Sequence, residues 1–200
     1  MNYNEKFNEL DLISGEKYPH HDIGIARLFH DLHKNMLCFV SETKSWYVFN
    51  RRWVKDEENL AAMEHCKDFA ESLIAYGEKC FEEDPETVIF KKYTLRFHSR
   101  TQRKSLLSDA RSIAPKSLND FDKNKLLFNC INGTLDLRTM TLRSFAAEDY
   151  ITMISKVKYV VGAVSKRWES FISEVMCGDA EANLCYGHKM VIEENSYFVE

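Results

Sequence analysis

The feature of the sequence that most constrains the fold is a long amphipathic segment, residues 56–82. Apolar residues recur in it every three or four positions, which predicts a helix with one buried face. The residues predicted on that face are Leu60, Met63, Cys66, Phe69, Ala70, Leu73, Ile74 and Ala75. Such a helix is stabilised mainly by packing, so other elements must cover its apolar face.

Four shorter helices are also predicted. The first spans residues 22–34, with Asp22 as its N-cap. The second spans about 85–99 and begins at Asp84-Pro85-Glu86, because proline suits the first helical position. A third, roughly 100–113, is ended by Ala114-Pro115, and a fourth covers 167–176.

Short strands are predicted between and after these helices. Residues 36–40 and 46–50 form one pair, and Trp53 with Val54 extends it to a third strand. Asn132-Gly133 joins a second pair, 126–130 and 134–137, because both residues tolerate positive φ. Residues 140–145 and 150–161 also favour strand, and 190–192 with 197–199 favour a hairpin. We therefore predict a single-domain α+β fold, in which helices pack with short antiparallel β-hairpins.

Composition excludes several classes of protein. The 200 residues are 44% hydrophobic, too many for a disordered chain. No apolar run is long enough for a membrane span, and the polar N-terminus lacks the apolar core of a signal peptide. We therefore expect a cytoplasmic protein without a membrane partner.

The six cysteines favour buried free thiols. They are Cys38, Cys66, Cys80, Cys130, Cys177 and Cys185. None forms the closely spaced pairs that zinc sites use, and a chain of this length needs no disulfides. The nearest zinc candidates are His30 with His33 and Cys177 with Cys185, and neither pair has a convincing partner. We expect no metal site.

Charge is distributed unevenly along the chain. The formal net charge is −4, yet residues 56–90 carry 11 acidic and 2 basic side chains, and residues 91–125 carry 10 basic and 3 acidic. The basic segment, interleaved with Phe90, Tyr93 and Phe97, is typical of a surface that contacts nucleic-acid phosphates. A solvated helix face, or one paired with the acidic segment, explains the same pattern.

No catalytic motif is present. The chain lacks the phosphate-binding loop GxxxxGKS/T and the motifs GxGxxG, GxSxG and HExxH. We therefore expect no ATP hydrolysis and no cofactor in this chain. Asp120 and Asp122, which flank Phe121, suit either an Mg²⁺ ion or the cap of a turn.

A second polar cluster surrounds the predicted Asn-Gly turn. It comprises Asn132, Gly133, Thr134, Asp136 and Arg138. These residues suit a turn followed by a polar strand face, or groups placed at an interface.

An ordered series of motifs carries a family resemblance. It begins with Asp22–Phe29 (DIGIARLF), Trp46–Phe49 (WYVF) and Arg52-Trp53, and continues through residues 126–129 (LLFN) and 132–138 (NGTLDLR). Residues 148–152 (EDYIT), Trp168, Phe171 and Gly178-Asp179 complete it. The chain resembles the D5 N-terminal-like domain of phage and plasmid primase–helicases and of a poxvirus protein. The signature residues are Asn132, Gly133, Thr134, Asp136, Arg138, Asp149, Tyr150, Thr152 and Trp168.

The resemblance implies a division of the chain and also has limits. It covers 22–180, preceded by a polar arm, 1–21, and followed by a divergent segment, 181–200. Met140 stands where the family commonly has glycine. The family usually continues into a superfamily 3 helicase with a P-loop, so we expect a segment of a longer helicase or a naturally short relative.

The resemblance implies a non-catalytic module of a DNA primase/helicase, which supports replication through DNA binding and helicase assembly. Expected partners are single-stranded or forked DNA, primase or helicase domains, and a possible second copy. ATP and Mg²⁺ would serve only a helicase domain of the parent protein. The residues expected to contact DNA are Lys91, Lys92, Arg96, Arg100, Arg103, Lys104 and Arg111.

Two other functions also suit the sequence. One is a protein-interaction or oligomerisation domain without DNA contact, in which the acidic segment 56–83 pairs with the basic one. The other is a nuclease or nucleotidyl transferase that uses Asp120, Asp122 and Asp136.

Overall fold

A computed structural model describes residues 3–79 and 85–175. Contacts divide the chain into two compact units, Met1–Phe121 and Asp122–Glu200. Six helices and two antiparallel three-stranded sheets lie in the described ranges, so the predicted α+β class is confirmed. None of the described helices combines the length and apolarity that crossing a membrane requires.

The first unit is mainly helical. Its helices are α1 (Tyr3–Glu9), α2 (Asp22–His33), α3 (Leu60–Lys79), α4 (Pro85–Thr94) and α5 (Arg100–Ala110). Helix α3 packs against α1, α4 and α5, and α2 packs against α5. Phe7, Phe29, Phe69 and Leu73 are at most 1% exposed at the centre of this core. The N-terminal arm therefore contributes core residues, which its polar composition did not indicate.

The start of α2 differs from the prediction. His21, not Asp22, is its N-cap, and His21 Nδ1 accepts a hydrogen bond from the N–H of Gly24 at 3.2 Å. A backbone N–H at the start of a helix needs such an acceptor, which an imidazole nitrogen supplies here. Its neighbour His20 is half-buried, and the ring centroids of His20 and Phe90 are 5.1 Å apart.

The buried face of α3 is shifted from the predicted one. Leu60 is 64% exposed and Ala75 is also exposed, whereas Ala62 is fully buried. The helix begins later than predicted because a 3₁₀ turn, Glu57–Asn59, precedes it. The carboxylate of Asp56 accepts hydrogen bonds from the N–H groups of Ala61 and Ala62, which caps α3.

One sheet completes the first unit. Its strands β1 (Leu37–Val40), β2 (Ser45–Asn50) and β3 (Arg52–Lys55) pair in that order, as predicted. Arg51 forms the β2–β3 turn with φ 62°, and Trp53 of β3 is 1% exposed.

The second unit contains the other sheet. Its strands are β4 (Leu127–Cys130), β5 (Gly133–Asp136) and β6 (Thr141–Arg143), and helix α6 (Lys166–Val175) follows. The predicted Asn-Gly hairpin is confirmed, with Cys130 opposite Gly133. A Cβ on Gly133 would lie 2.5 Å from the carbonyl oxygen of Arg143, so only glycine fits.

The strand predicted over residues 150–161 is wrong. Its backbone runs beside β4, where Ser155 N–H donates to Asn129 O and Ile131 N–H donates to Val157 O. These two bonds do not continue into a regular ladder, so no strand forms. The hairpin predicted from 190–192 and 197–199 lies outside the described residues.

Candidate nucleic-acid interface

Helix α5 and its C-cap place three of their four cations on one side. Leu106, Leu107 and Ala110 are buried in the first unit, while Arg100, Lys104 and Arg111 are exposed. Positions four and seven apart share a helix face, so these three cations form a row. Arg100 lies in the first turn of the helix, where the helix dipole disfavours positive charge. Helix stability therefore does not account for the placement of Arg100.

The row borders a groove of about 400 Å³ in the first unit. The groove brings together the β1–β2 turn, the start of α3 and the exposed side of α5. Its lining residues are Phe39, Lys44, Trp46, Glu58, Asn59, Leu60, Met63, Arg100, Lys104, Leu107, Ser108 and Arg111. Because these segments are distant in sequence, only the tertiary fold creates the groove, which we call the α5 groove.

Apolar side chains contribute much of the lining of the α5 groove. The rings of Phe39 and Trp46 meet edge to face, with centroids 5.6 Å apart. Trp46 and Leu107 are 6% and 7% exposed and belong to the core, whereas Leu60 is largely exposed. This lining offers an apolar surface beside the cations, as single-stranded nucleic-acid sites do.

The cations that line the α5 groove form no polar side-chain interactions with the described residues. The side chains of Lys44, Arg100, Lys104 and Arg111 make no hydrogen bond or ion pair with residues 3–79 or 85–175. Lys44 was not among the residues predicted to contact DNA, because a single lysine in a predicted turn does not indicate nucleic-acid binding. Four cations around one concave surface, without partners in the described part of the chain, suit a polyanion.

A different cluster of interactions surrounds the Asn-Gly turn of the second unit. The side chain of Asn132 donates to Tyr159 O at 2.9 Å and accepts from Tyr159 N–H at 3.0 Å. Thr134, 1% exposed, donates its hydroxyl to Asn129 Oδ1 at 2.7 Å. Both residues therefore hold neighbouring backbone and side chains in place.

The other signature residues of the second unit also stabilise local structure. Asp136 accepts from the N–H of Arg138, whose own side chain is exposed. Asp149 accepts from the guanidinium of Arg143 at 2.6 Å, and this bond raises the pKa of Arg143. Tyr150 has φ 50°, and Thr152 donates both its N–H and its hydroxyl to Asp122.

A family model described as D5 N-terminal-like matches residues 26–177, which include parts of both compact units. The chain belongs to the D5 N-terminal-like family. The predicted resemblance is therefore confirmed over about three quarters of the chain. No curated protein matches it.

The family's signature residues lie chiefly in the scaffold of the second unit. Trp168 differs from the others, because it is 41% exposed on α6 and contacts Phe171 with ring centroids 5.8 Å apart. Met140, at the position where the resemblance implied glycine, has φ 55°. Glycine adopts this backbone conformation without steric cost.

Other cations predicted to contact DNA in this family member are engaged elsewhere. Arg103 donates to the carbonyl oxygens of Phe97 and His98 at 2.6 and 2.7 Å, which caps the 3₁₀ turn Leu95–His98. Arg96 lies 3.6 Å from Asp22 and 5.5 Å from the ring centroid of Tyr93. Neither residue lines the α5 groove.

Lys91 and Lys92 are on α4 and do not line the α5 groove either. Lys91 is half-buried and has a partner, whereas Lys92 is exposed. The predicted cluster is therefore divided, and only Arg100, Lys104 and Arg111 of its seven members meet at the groove.

The carboxylates considered for catalysis serve local structure. Asp120 accepts from the N–H of Ser117 in a capping box, Asp122 holds Thr152, and Asp136 holds Arg138. Within residues 3–79 and 85–175, no three histidine, cysteine or acidic side chains are grouped as metal ligands would be. Asp120 therefore takes part in capping a turn, although the N-cap residue itself is Ser117.

The thiols and His33 belong to the core. Cys38, Cys66 and Cys130 are free and buried as predicted, and burial raises the pKa of Cys38 and Cys66 to about 12. These thiols are protonated at neutral pH and poor nucleophiles. Both ring nitrogens of His33 are hydrogen-bonded, to Tyr3 and to Phe29 O, so His33 has no free nitrogen for zinc. Cys80, Cys177 and Cys185 lie outside the described residues.

Proposed function

We propose that the chain is a non-catalytic DNA-binding module of a phage- or plasmid-type primase/helicase. Its role in replication would be to bind DNA and to support assembly of the helicase, in the bacterial or phage-infected cytoplasm. Family membership supports the replication context, which the resemblance implies. The α5 groove supports DNA binding.

One observation carries the proposal, namely the four cations of the α5 groove that have no partner among the described residues. Each Lys or Arg that contacts a phosphate releases condensed counterions, which favours binding. Arg100 and Arg111 are separated by eleven residues, or about 16 Å along an ideal helix. The row is therefore long enough to contact several consecutive phosphates of one strand.

The size and lining of the groove favour single-stranded DNA. A groove of about 400 Å³ can hold an unpaired base, which a duplex keeps inside its stack. Exposed apolar surface, such as that of Leu60, suits contact with base faces, which paired bases do not offer. A nearby primase or helicase domain is the source of such strands, and ATP with Mg²⁺ belongs to that helicase domain.

Two double variants test the DNA-binding proposal. Lys104→Gln with Arg111→Gln removes two groove cations. Arg27→Gln with Lys34→Gln removes one arginine and one lysine that are also exposed but lie on α2 and at its C-cap. Fluorescence anisotropy with a labelled 15-nucleotide strand is expected to show about tenfold weaker binding for the groove variant and little change for the control. Equal affinities of the two variants would refute the proposal.

The exposed apolar face of α6 favours a second candidate, a protein-interaction domain without DNA contact. Trp168, Phe171 and Val175 are spaced three and four residues apart and are 41–57% exposed. Apolar surface grouped on one helix is typical of a contact with another protein. Light scattering distinguishes this candidate: a monomer at both low and high salt, together with tight DNA binding, would exclude it.

A further inference from the structure

Glu58 is the one acidic side chain among the twelve residues that line the α5 groove. It is exposed, and its carboxylate makes no hydrogen bond or ion pair with the described residues. A carboxylate in a phosphate-binding groove repels the phosphates. Its presence there therefore suits a ligand that also offers hydrogen-bond donors.

The backbone fixes the position of Glu58. Glu58 and Asn59 have φ 56° and 58°, the left-handed region that costs non-glycine residues energy. Asn59 Oδ1 accepts from the N–H of Trp46 at 3.2 Å, and Asp56 holds the start of α3 on the other side. This turn is therefore clamped from both ends, and it holds Glu58 at the groove.

Nucleic-acid bases differ in the donors that they offer to a carboxylate. Cytosine, adenine and guanine carry an exocyclic amino group, whereas thymine has one N3–H between two carbonyl oxygens. A carboxylate accepts hydrogen bonds and cannot donate, so it binds the amino bases and is repelled by the thymine carbonyls. The phosphates of the same strand remain available to Arg100, Lys104 and Arg111.

We infer that Glu58 selects bases, so that the α5 groove binds single strands of amino-bearing bases more tightly than strands of thymine. This inference rests on the proposed function, because it needs a strand in the groove. It makes Glu58 a specificity-determining residue that lowers affinity for thymine strands.

The test compares oligo(dC) and oligo(dT) of 15 nucleotides, which have equal length and charge, at pH 7.5. The wild-type protein is expected to bind oligo(dC) about fivefold more tightly, the effect of one charge-assisted hydrogen bond in a partly exposed site. Glu58→Gly is expected to bring that ratio to about one and to strengthen oligo(dT) binding. Glycine adopts positive φ freely, so this variant keeps the turn.

Two controls make the outcome decisive. Glu57→Gly removes the neighbouring exposed acid, which does not line the groove, and is expected to keep the fivefold ratio. Glu58→Ala is also expected to bring the ratio of oligo(dC) to oligo(dT) affinity to about one, and it does so without the added backbone freedom of glycine. A wild-type ratio of one, or a ratio that survives in both Glu58 variants, overturns the inference. Failure of the wild-type protein to bind either strand instead refutes the proposed function itself.

Discussion

His33 illustrates how much a single residue depends on its surroundings. Its Nε2 lies 2.8 Å from the Tyr3 hydroxyl and its Nδ1 lies 2.7 Å from Phe29 O, so Nδ1 carries the proton and Nε2 accepts. Burial lowers the pKa of His33 to about 4, and the nearby His65 adds to this effect. The neutral imidazole thus joins α1 to α2 in the core.

Stability of the protein is expected to fall as the pH falls from about 6.5 to 4. In this window the unfolded chain binds a proton at His33 and the folded chain does not, so protons favour unfolding. The contribution, complete above pH 6.5, is up to about 3 kcal/mol.

Urea unfolding at pH 7, 5.5 and 4.5 measures this contribution. His33→Gln is expected to be less stable at pH 7 and to lose less stability than the wild-type protein on acidification. Parallel pH profiles of the two proteins would contradict the assigned role of His33.

At the scale of elements, the sequence predicted which segments form helices and strands better than which faces they bury. Periodicity located α2, α3 and both sheets, because apolar spacing follows the geometry of each element. The same periodicity wrongly predicted that Leu60 and Ala75 are buried and did not predict that Ala62 is buried. Burial depends on which elements pack against α3. Residues 150–161 were predicted as a strand, yet the chain there makes only isolated backbone bonds to β4.

The turn between β5 and β6 provides a test at this scale. Met140 holds φ 55° there, so Met140→Gly is expected to stabilise the protein by about 0.5–1 kcal/mol, since glycine lacks the steric cost of positive φ. Thermal unfolding measures the gain. As a control, Met153→Gly replaces an exposed methionine without positive φ and is expected to give no gain. An equal change for both variants would show that the turn carries no relievable strain.

At the scale of the whole molecule, local rather than net charge is expected to govern DNA binding. The formal net charge is −4, which by itself disfavours a polyanion. Over a Debye length of about 8 Å at physiological salt, however, a bound strand senses mainly the charges of the α5 groove. An acidic protein can therefore bind DNA at one surface.

The salt dependence of single-strand binding tests this view. Each phosphate contact contributes about 0.7 to the slope of log affinity against log salt, so losing Lys104 and Arg111 is expected to reduce the slope by about 1.4. Arg27→Gln with Lys34→Gln is expected to keep the wild-type slope. A slope that falls equally in both variants would mean that net charge, and not the groove, controls binding.

The sequence by itself determined most of the helices and strands, the Asn-Gly hairpin and the family, because these depend on local geometry and on ordered motifs. It also located the charge in residues 91–125. Only the tertiary structure decided which charged residues line one groove, since Lys44, Glu58 and Arg111 reach it from three distant segments. The tertiary structure also shows that Arg96 and Arg103 interact with Asp22 and with Phe97 O, respectively, and not with the groove. The sequence shows how charge is distributed along the chain, but a binding surface forms only where packing brings separate segments together.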